Sequence, residues 1–233
     1  MAFSKVLQLD MPDEFPLVEF EAFVEAVRAV VKPKSVAQSE FGGASNLIGW
    51  RFRASVEYRE LYLDSWRSRG ANVSFEELYT RERHFFGMFV SGVSTLESIA
   101  YACFAAASHP NVLGLTFNEK IRRHGSGPKH LLTVLAGCPR GDELTRVLTS
   151  MLASDEWRIW TGYRNTMAHR SNIHRIVYAS VGSALPPARI MQYAGSWSHD
   201  PLDGDEGAFV ALSSWLARTC RDLLSAGRTL AAG

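Results

Sequence analysis

Between Phe85 and Ala107 the sequence reads FFGMFVSGVSTLESIAYACFAAA, with Glu97 as the one charged residue. No other stretch constrains the chain so tightly. A run of this length can cross a bilayer; otherwise it is a helix covered on every side by other helices. Glu97 near its centre, three serines and a threonine argue against lipid, where polar groups are costly. The expectation is a central helix outside any membrane, for which the rest of the chain must supply the cover.

The chain is long enough to do so. Its 233 residues are 46% hydrophobic and 21% charged, a globular composition that fits one large domain. Cys103, Cys138 and Cys220 are odd in number and far apart, which gives no disulfide framework and points to a reducing compartment. The first residues, MAFSKVLQLD, lack the long apolar core of a signal peptide. A cytoplasmic location is expected.

Helical signals dominate the pattern. Phe20, Phe23, Val24, Val27 and Val30 form one apolar stripe that ends at Lys32-Pro33. The glycine-containing stretch from Glu40 to Ala44 precedes a second pattern of Leu47, Trp50, Ala54, Tyr58 and Leu61. Ser74-Phe75-Glu76-Glu77 is a capping box that opens the long helix holding the apolar run, which stops near His109-Pro110. A second box, Thr116 to Glu119, opens a short helix ending at Gly125, and two amphipathic pieces follow between Pro128 and Leu152. Ser154 or Asp155 caps a helix through Trp157, Trp160 and Arg164. Segments Ile173 to Val181 and Arg189 to Tyr193 are rich in β-branched and aromatic residues, so a small β-hairpin is expected before a last helix from about Glu206. The expected fold class is all-α, an antiparallel helical bundle with that minor hairpin, in a single domain over 1–233.

Most enzyme signatures are absent: there is no GxxxxGK[ST], GxGxxG, HExxH or GxSxG. The seven histidines are scattered, and His169 and His174, five apart, turn to different helix faces. Neither a metal nor a cofactor is expected. What remains is Tyr163-Arg164-Asn165-Thr166-Met167-Ala168-His169-Arg170. Asn165 and His169 are i,i+4 neighbours on a helix, and Arg164 is long enough to reach the same space. A neutral-pH proton carrier, a fixed cation and an amide then share one patch. Cleavage of a phosphodiester by its own 2′-hydroxyl needs such a set: an acid or base, and positive charge for the phosphorane. An ordinary surface helix, with His and Arg making routine contacts or caps, gives the same spacing.

Arg164-Asn165 followed by His169 resembles the Arg-x4-6-His signature of the HEPN superfamily, in which a polar residue commonly follows the arginine. The resemblance rests on that segment and on the helical layout of residues 75–230, with 1–70 as an N-terminal helical extension packed on that core. It implies an antiparallel helical bundle and a metal-independent endoribonuclease, of the kind found in toxin–antitoxin, phage-defence and RNA-processing systems. Arg164, Asn165 and His169 would be its catalytic residues, and two copies would meet across a homodimer cleft. RNA is the implied substrate, with an antitoxin or nucleotidyltransferase-type protein as the implied partner class. The resemblance equally admits a non-catalytic nucleotide-, RNA- or partner-binding dimer module. A homodimer also makes chemical sense, because one histidine cannot easily take a proton from the 2′-hydroxyl and give one to the leaving 5′-oxygen at once.

Two residues are candidates for a supporting role. Glu97 needs a partner if buried, and Arg164 or His169 would serve; otherwise it faces solvent or a backbone cap. Tyr163 either stacks on a base or belongs to the core. The net charge of +1 argues against whole-surface binding of nucleic acid. Yet the 43 residues from Trp157 to His199 hold no Asp, Glu or Lys, only Arg158, Arg164, Arg170, Arg175 and Arg189 as fixed cations. Arginine's planar fork suits phosphate, so Arg158, Arg170 and Arg175 are expected to bind substrate. The rest of the chain carries −4 in balance.

Overall fold

Seven helices account for most of the described residues of the computed structural model, which are 1–70, 73–118, 121, 127–169, 175–178, 190–193, 202–203 and 205–233. The chain opens on a feature the sequence pattern does not announce. Strands β1 (Ala2–Ser4) and β2 (Leu9–Met11) pair antiparallel, with Ala2 opposite Met11. Gln8 turns the corner at a positive φ of 54°. Three-residue strands are too short to show alternation, so the purely helical reading of residues 1–70 needs this correction.

Helix α1 (Leu17–Val30) buries Phe20, Phe23, Val24 and Val27, the stripe expected of it. Helix α2 (Val36–Arg69) departs from expectation: it runs unbroken through Gly42 and Gly43. Its buried face is Phe41, Ala44, Ile48, Phe52, Ser55, Arg59 and Tyr62, whereas Trp50 is 59% exposed and Leu61 faces outward too. The stripe drawn through Leu47, Trp50 and Leu61 is therefore out of phase. Two mid-helix glycines cost about 1 kcal/mol each relative to alanine, an amount the buried apolar face offsets.

Helix α3 (Phe75–Ala107) starts at the capping box. The Ser74 backbone N–H donates to Glu77 Oε2 at 2.8 Å, and the Glu77 N–H donates back to Ser74 Oγ at 3.3 Å. By length and composition α3 could cross a membrane, but 72% of its most apolar window is buried inside the protein. The box Thr116 to Glu119 and the short helix after it lie largely outside the described residues. Helix α4 (Pro128–Leu135), a 3-10 turn at Pro139–Gly141 and helix α5 (Asp142–Ala153) match the two amphipathic pieces. Helix α6 (Asp155–His169) follows at once, and Ser154 Oγ donates back to Met151 O at the end of α5.

Strands β3 (Arg175–Tyr178) and β4 (Ile190–Tyr193) pair antiparallel, and β5 (Leu202–Asp203) adds to β4. The β structure thus differs from the single hairpin expected: one two-stranded sheet sits near the N-terminus, and the sheet before the last helix has three strands. Helix α7 (Glu206–Ala232) ends the chain with Phe209, Leu212, Leu216, Cys220 and Leu223 buried.

The chain divides into two compact units. The first comprises Met1–Arg53, Ser94–Ser154 and Leu216–Gly233. Within it Phe23 makes an edge contact with Phe41 and lies against Gly227 of α7, where an added Cβ would come within 2.9 Å of both the Phe23 ring and Cys103 Sγ. The Arg140 guanidinium donates to the carbonyls of Leu230 and Ala231, both at 2.8 Å, and so satisfies the open end of α7.

The second unit comprises Ala54–Val93 and Asp155–Trp215. Its core is aromatic: Tyr62, Phe85, Phe89, Trp160, Tyr163 and Phe209 are all fully buried. Two glycines of α3 let rings in close. A Cβ on Gly87 would meet the Tyr58 ring at 2.6 Å, and one on Gly92 would meet the Trp160 ring at 2.3 Å. Arg81, 1% exposed, lies 3.9 Å from the Trp66 ring centroid and donates to Ser65 Oγ, Ser65 O and Gly70 O. A buried guanidinium is tolerated only with such a complement of acceptors.

Candidate functional site

Helix α6 presents the polar segment, and its inner face holds it in place. Trp160 and Tyr163, one turn apart, pack on Phe89 with ring centroids at 4.9 and 5.1 Å, the second pair stacked at 22°. Tyr163 also meets the edge of Phe85 at 5.8 Å. Thr166 continues this buried face. Asp155 and Glu156 occupy the first turn, where carboxylates favour the helix dipole.

The outer face carries the polar candidates. Asn165 and His169 are both exposed and one turn apart, and His169 is the last residue of the helix. Arg158, seven residues before Asn165, falls on the same face, about 10 Å along the axis at 1.5 Å per residue. Its guanidinium lies 3.2 Å from Asp155 in an exposed i,i+3 ion pair, a contact worth little in water. Arg164 is half-buried. It stands five residues from His169, so its Cα is turned about 140° away around the helix, and only the length of its side chain brings the two groups toward a common space.

Tyr163 has no exposed surface; of its two readings the core one holds, and it anchors the helix from within. Glu97 belongs to the first unit, where it is half-buried on the wall of a pocket of about 510 Å³ beside Glu40, Arg51, Ser98 and Tyr101. In that pocket Tyr101 Oη donates to Glu40 Oε2 at 2.8 Å, and Arg51 donates to Ser98 Oγ at 3.1 Å. Arg170 lies outside the described residues. Of Arg175 the backbone alone is described, opposite Tyr193 in the β3–β4 pair. Among the described residues no three His, Cys, Asp or Glu side chains are grouped to hold a metal ion.

One feature beside the patch escaped the sequence reading. Phe75, Tyr79, Glu82, Arg83 and Phe86 of α3, with Met167 of α6, line a pocket of about 530 Å³ within the second unit. The signal was present as an i, i+4, i+11 spacing of aromatic residues in a helix otherwise read as core. No family model, curated protein or solved structure matches the chain.

Proposed function

We propose that the chain is a metal-independent endoribonuclease of HEPN type that works as a homodimer in the cytoplasm, in a toxin–antitoxin or phage-defence setting. The observation that carries this reading is the outer face of α6. Asn165 and His169 share one exposed turn with Arg164 next in sequence, on a helix fixed from behind by Trp160 and Tyr163. Such anchoring suits catalysis, because reacting groups must be held rather than found.

In the reaction, one His169 takes the proton of the ribose 2′-hydroxyl. The 2′-oxygen attacks the adjacent phosphorus, and the bond to the 5′-oxygen breaks as His169 of a second copy protonates that oxygen. Arg164 holds the scissile phosphate and stabilises charge on the phosphorane. Asn165 orients the phosphate or the imidazole, and the Arg158 side of the helix meets flanking phosphates. The products are a 2′,3′-cyclic phosphate and a 5′-hydroxyl end.

The test is incubation of purified protein with structured RNA in EDTA, beside His169→Ala and Arg164→Ala. Cleavage by the wild type that disappears in both variants supports the enzyme. Absence of cleavage with nucleotide-dependent thermal stabilisation supports a non-catalytic binding module in its place. A monomer in sedimentation at working concentration rejects the two-copy mechanism.

A further inference from the structure

The pocket between the start of α3 and the end of α6 belongs to no step of that reaction. Its rim is unusual for a protein surface. Phe75 is 92% exposed, Tyr79 61% and Phe86 37%, and the three rings follow one stripe of α3. Arg83, exposed on the same wall, adds a guanidinium. Met167 closes the pocket from α6, one helical turn beyond Arg164 and close to it around the helix axis.

Resting on the ribonuclease reading, we propose that this pocket is a base-binding subsite. It receives the unpaired nucleobase next to the phosphate held by Arg164, and so restricts the substrate to single-stranded or looped RNA. The chemistry of the lining selects this occupant. A nucleobase is planar, presents two π faces and carries donors and acceptors on its edge. The pocket offers Tyr79 and Phe86 for the faces, the thioether of Met167 as a soft wall, and Glu82 and Arg83 for the edge. Arg83 also complements the backbone charge of a polyanion. A second copy of this chain laid over the stripe is the competing occupant, and the oligomeric state of the stripe variants separates the two. A base paired in a duplex cannot enter, since its faces are already stacked.

The probe is a short single-stranded 2′-O-methyl oligoribonucleotide carrying 2-aminopurine, which the proposed reaction cannot cut and whose fluorescence falls on stacking. Wild-type protein quenches it; Tyr79→Ala and Phe86→Ala, with unchanged circular dichroism, bind about tenfold more weakly and lose the quenching. Tyr79→Trp restores both. The same two alanine variants lower cleavage of looped RNA. If wild-type protein fails to quench, or if the alanine variants quench and bind as wild type does, the subsite is wrong. It is equally wrong if those substitutions convert a dimer to monomer, which would make the stripe a protein interface. Quenching that depends on Tyr79 and Phe86 in a protein that cuts no RNA would keep the subsite and remove the nuclease. Cleavage that depends on His169 and ignores Tyr79 and Phe86 would do the reverse.

Discussion

Glycine-to-alanine changes should differ clearly at two positions of this chain, a gain at one and none at the other, and the geometry says why. In α2, a Cβ added at Gly42 meets nothing within 4 Å. Alanine there removes only backbone freedom from the unfolded chain, so Gly42→Ala should stabilise by about 1 kcal/mol. In a protein of this size that is about 2–4 °C in Tm. In α3, the Cβ of Gly92→Ala would lie 2.3 Å from Trp160 Cζ3, 2.7 Å from Cη2 and 2.9 Å from Cε3. Ordinary carbon contacts begin near 3.5 Å, so the ring or the helix must retreat by about 1 Å. Trp160 has no exposed surface and rests on Phe89, so it cannot swing into solvent. Overpacking of this kind costs about 1–3 kcal/mol. Set against the same gain of about 1 kcal/mol in helix propensity, the net effect runs from about neutral to a loss of 2. Urea melts followed by far-ultraviolet circular dichroism, with m-values compared, measure both variants. A Gly92→Ala protein as stable as Gly42→Ala would falsify the claim that α6 is seated directly on the α3 backbone. On the ribonuclease proposal, the same variant should also lose RNA cleavage out of proportion to its stability, because α6 carries Asn165 and His169.

The remaining predictions concern ionisable groups, buried and exposed. Burial, with help from Arg83, holds the His84 imidazole below its ordinary pKa, so the unfolded chain takes up that proton first as pH falls. This contribution to stability is complete above about pH 6.5 and is lost as pH drops through the folded value; His84→Gln should flatten the stability profile there, and an unchanged slope would discount His84. Burial pushes the Cys103 thiol up to about 12 and raises that of Cys220 as well, while Cys138 is partly exposed. Native protein should therefore titrate one thiol with an aromatic disulfide reagent and three after denaturation; two or more fast native thiols would contradict the burial of Cys103 and Cys220. Arg81→Met removes three hydrogen bonds and the contact with Trp66 and should cost about 3 kcal/mol or more. Arg67→Ala breaks exposed pairs with Asp64 and Glu206 and should shift the same melts far less than Arg81→Met does; equal losses would remove the distinction.

Much of the helical layout was legible because its signals are local. The capping box at Ser74, the stripe of α1 and the apolar face of α7 depend on spacing within one element. The errors arose where tertiary packing overrules spacing. Trp50 and Leu61 look like core by composition, yet the helix turns Phe41, Ile48 and Phe52 inward, because Gly42 and Gly43 do not interrupt it and the phase is set by what lies opposite. The β1–β2 pair was invisible for want of length. At the candidate site, the positions of Asn165 and His169 on one exposed face followed from helical periodicity alone. The burial of Tyr163 did not, because it depends on Phe89, more than seventy positions earlier in the chain. The aromatic stripe of Phe75, Tyr79 and Phe86 was hidden for the opposite reason: aromatic residues in a helix next to an apolar run look like more of the same core.

The seating of Phe23 against Gly227 has a consequence for biosynthesis. Helix α1 leaves the ribosome roughly 200 residues before its partner Gly227 on α7. Until then Phe23 and Cys103 lack one wall of their packing, while the contacts of Arg81 with Ser65 and Gly70 need only a short stretch of sequence. Closure of the first unit therefore waits until the Gly227 turn of α7 has emerged, whereas the local contacts of the second can form earlier. A nascent chain stalled before Leu216 would leave Phe23 without its α7 wall and open that apolar surface to chaperones.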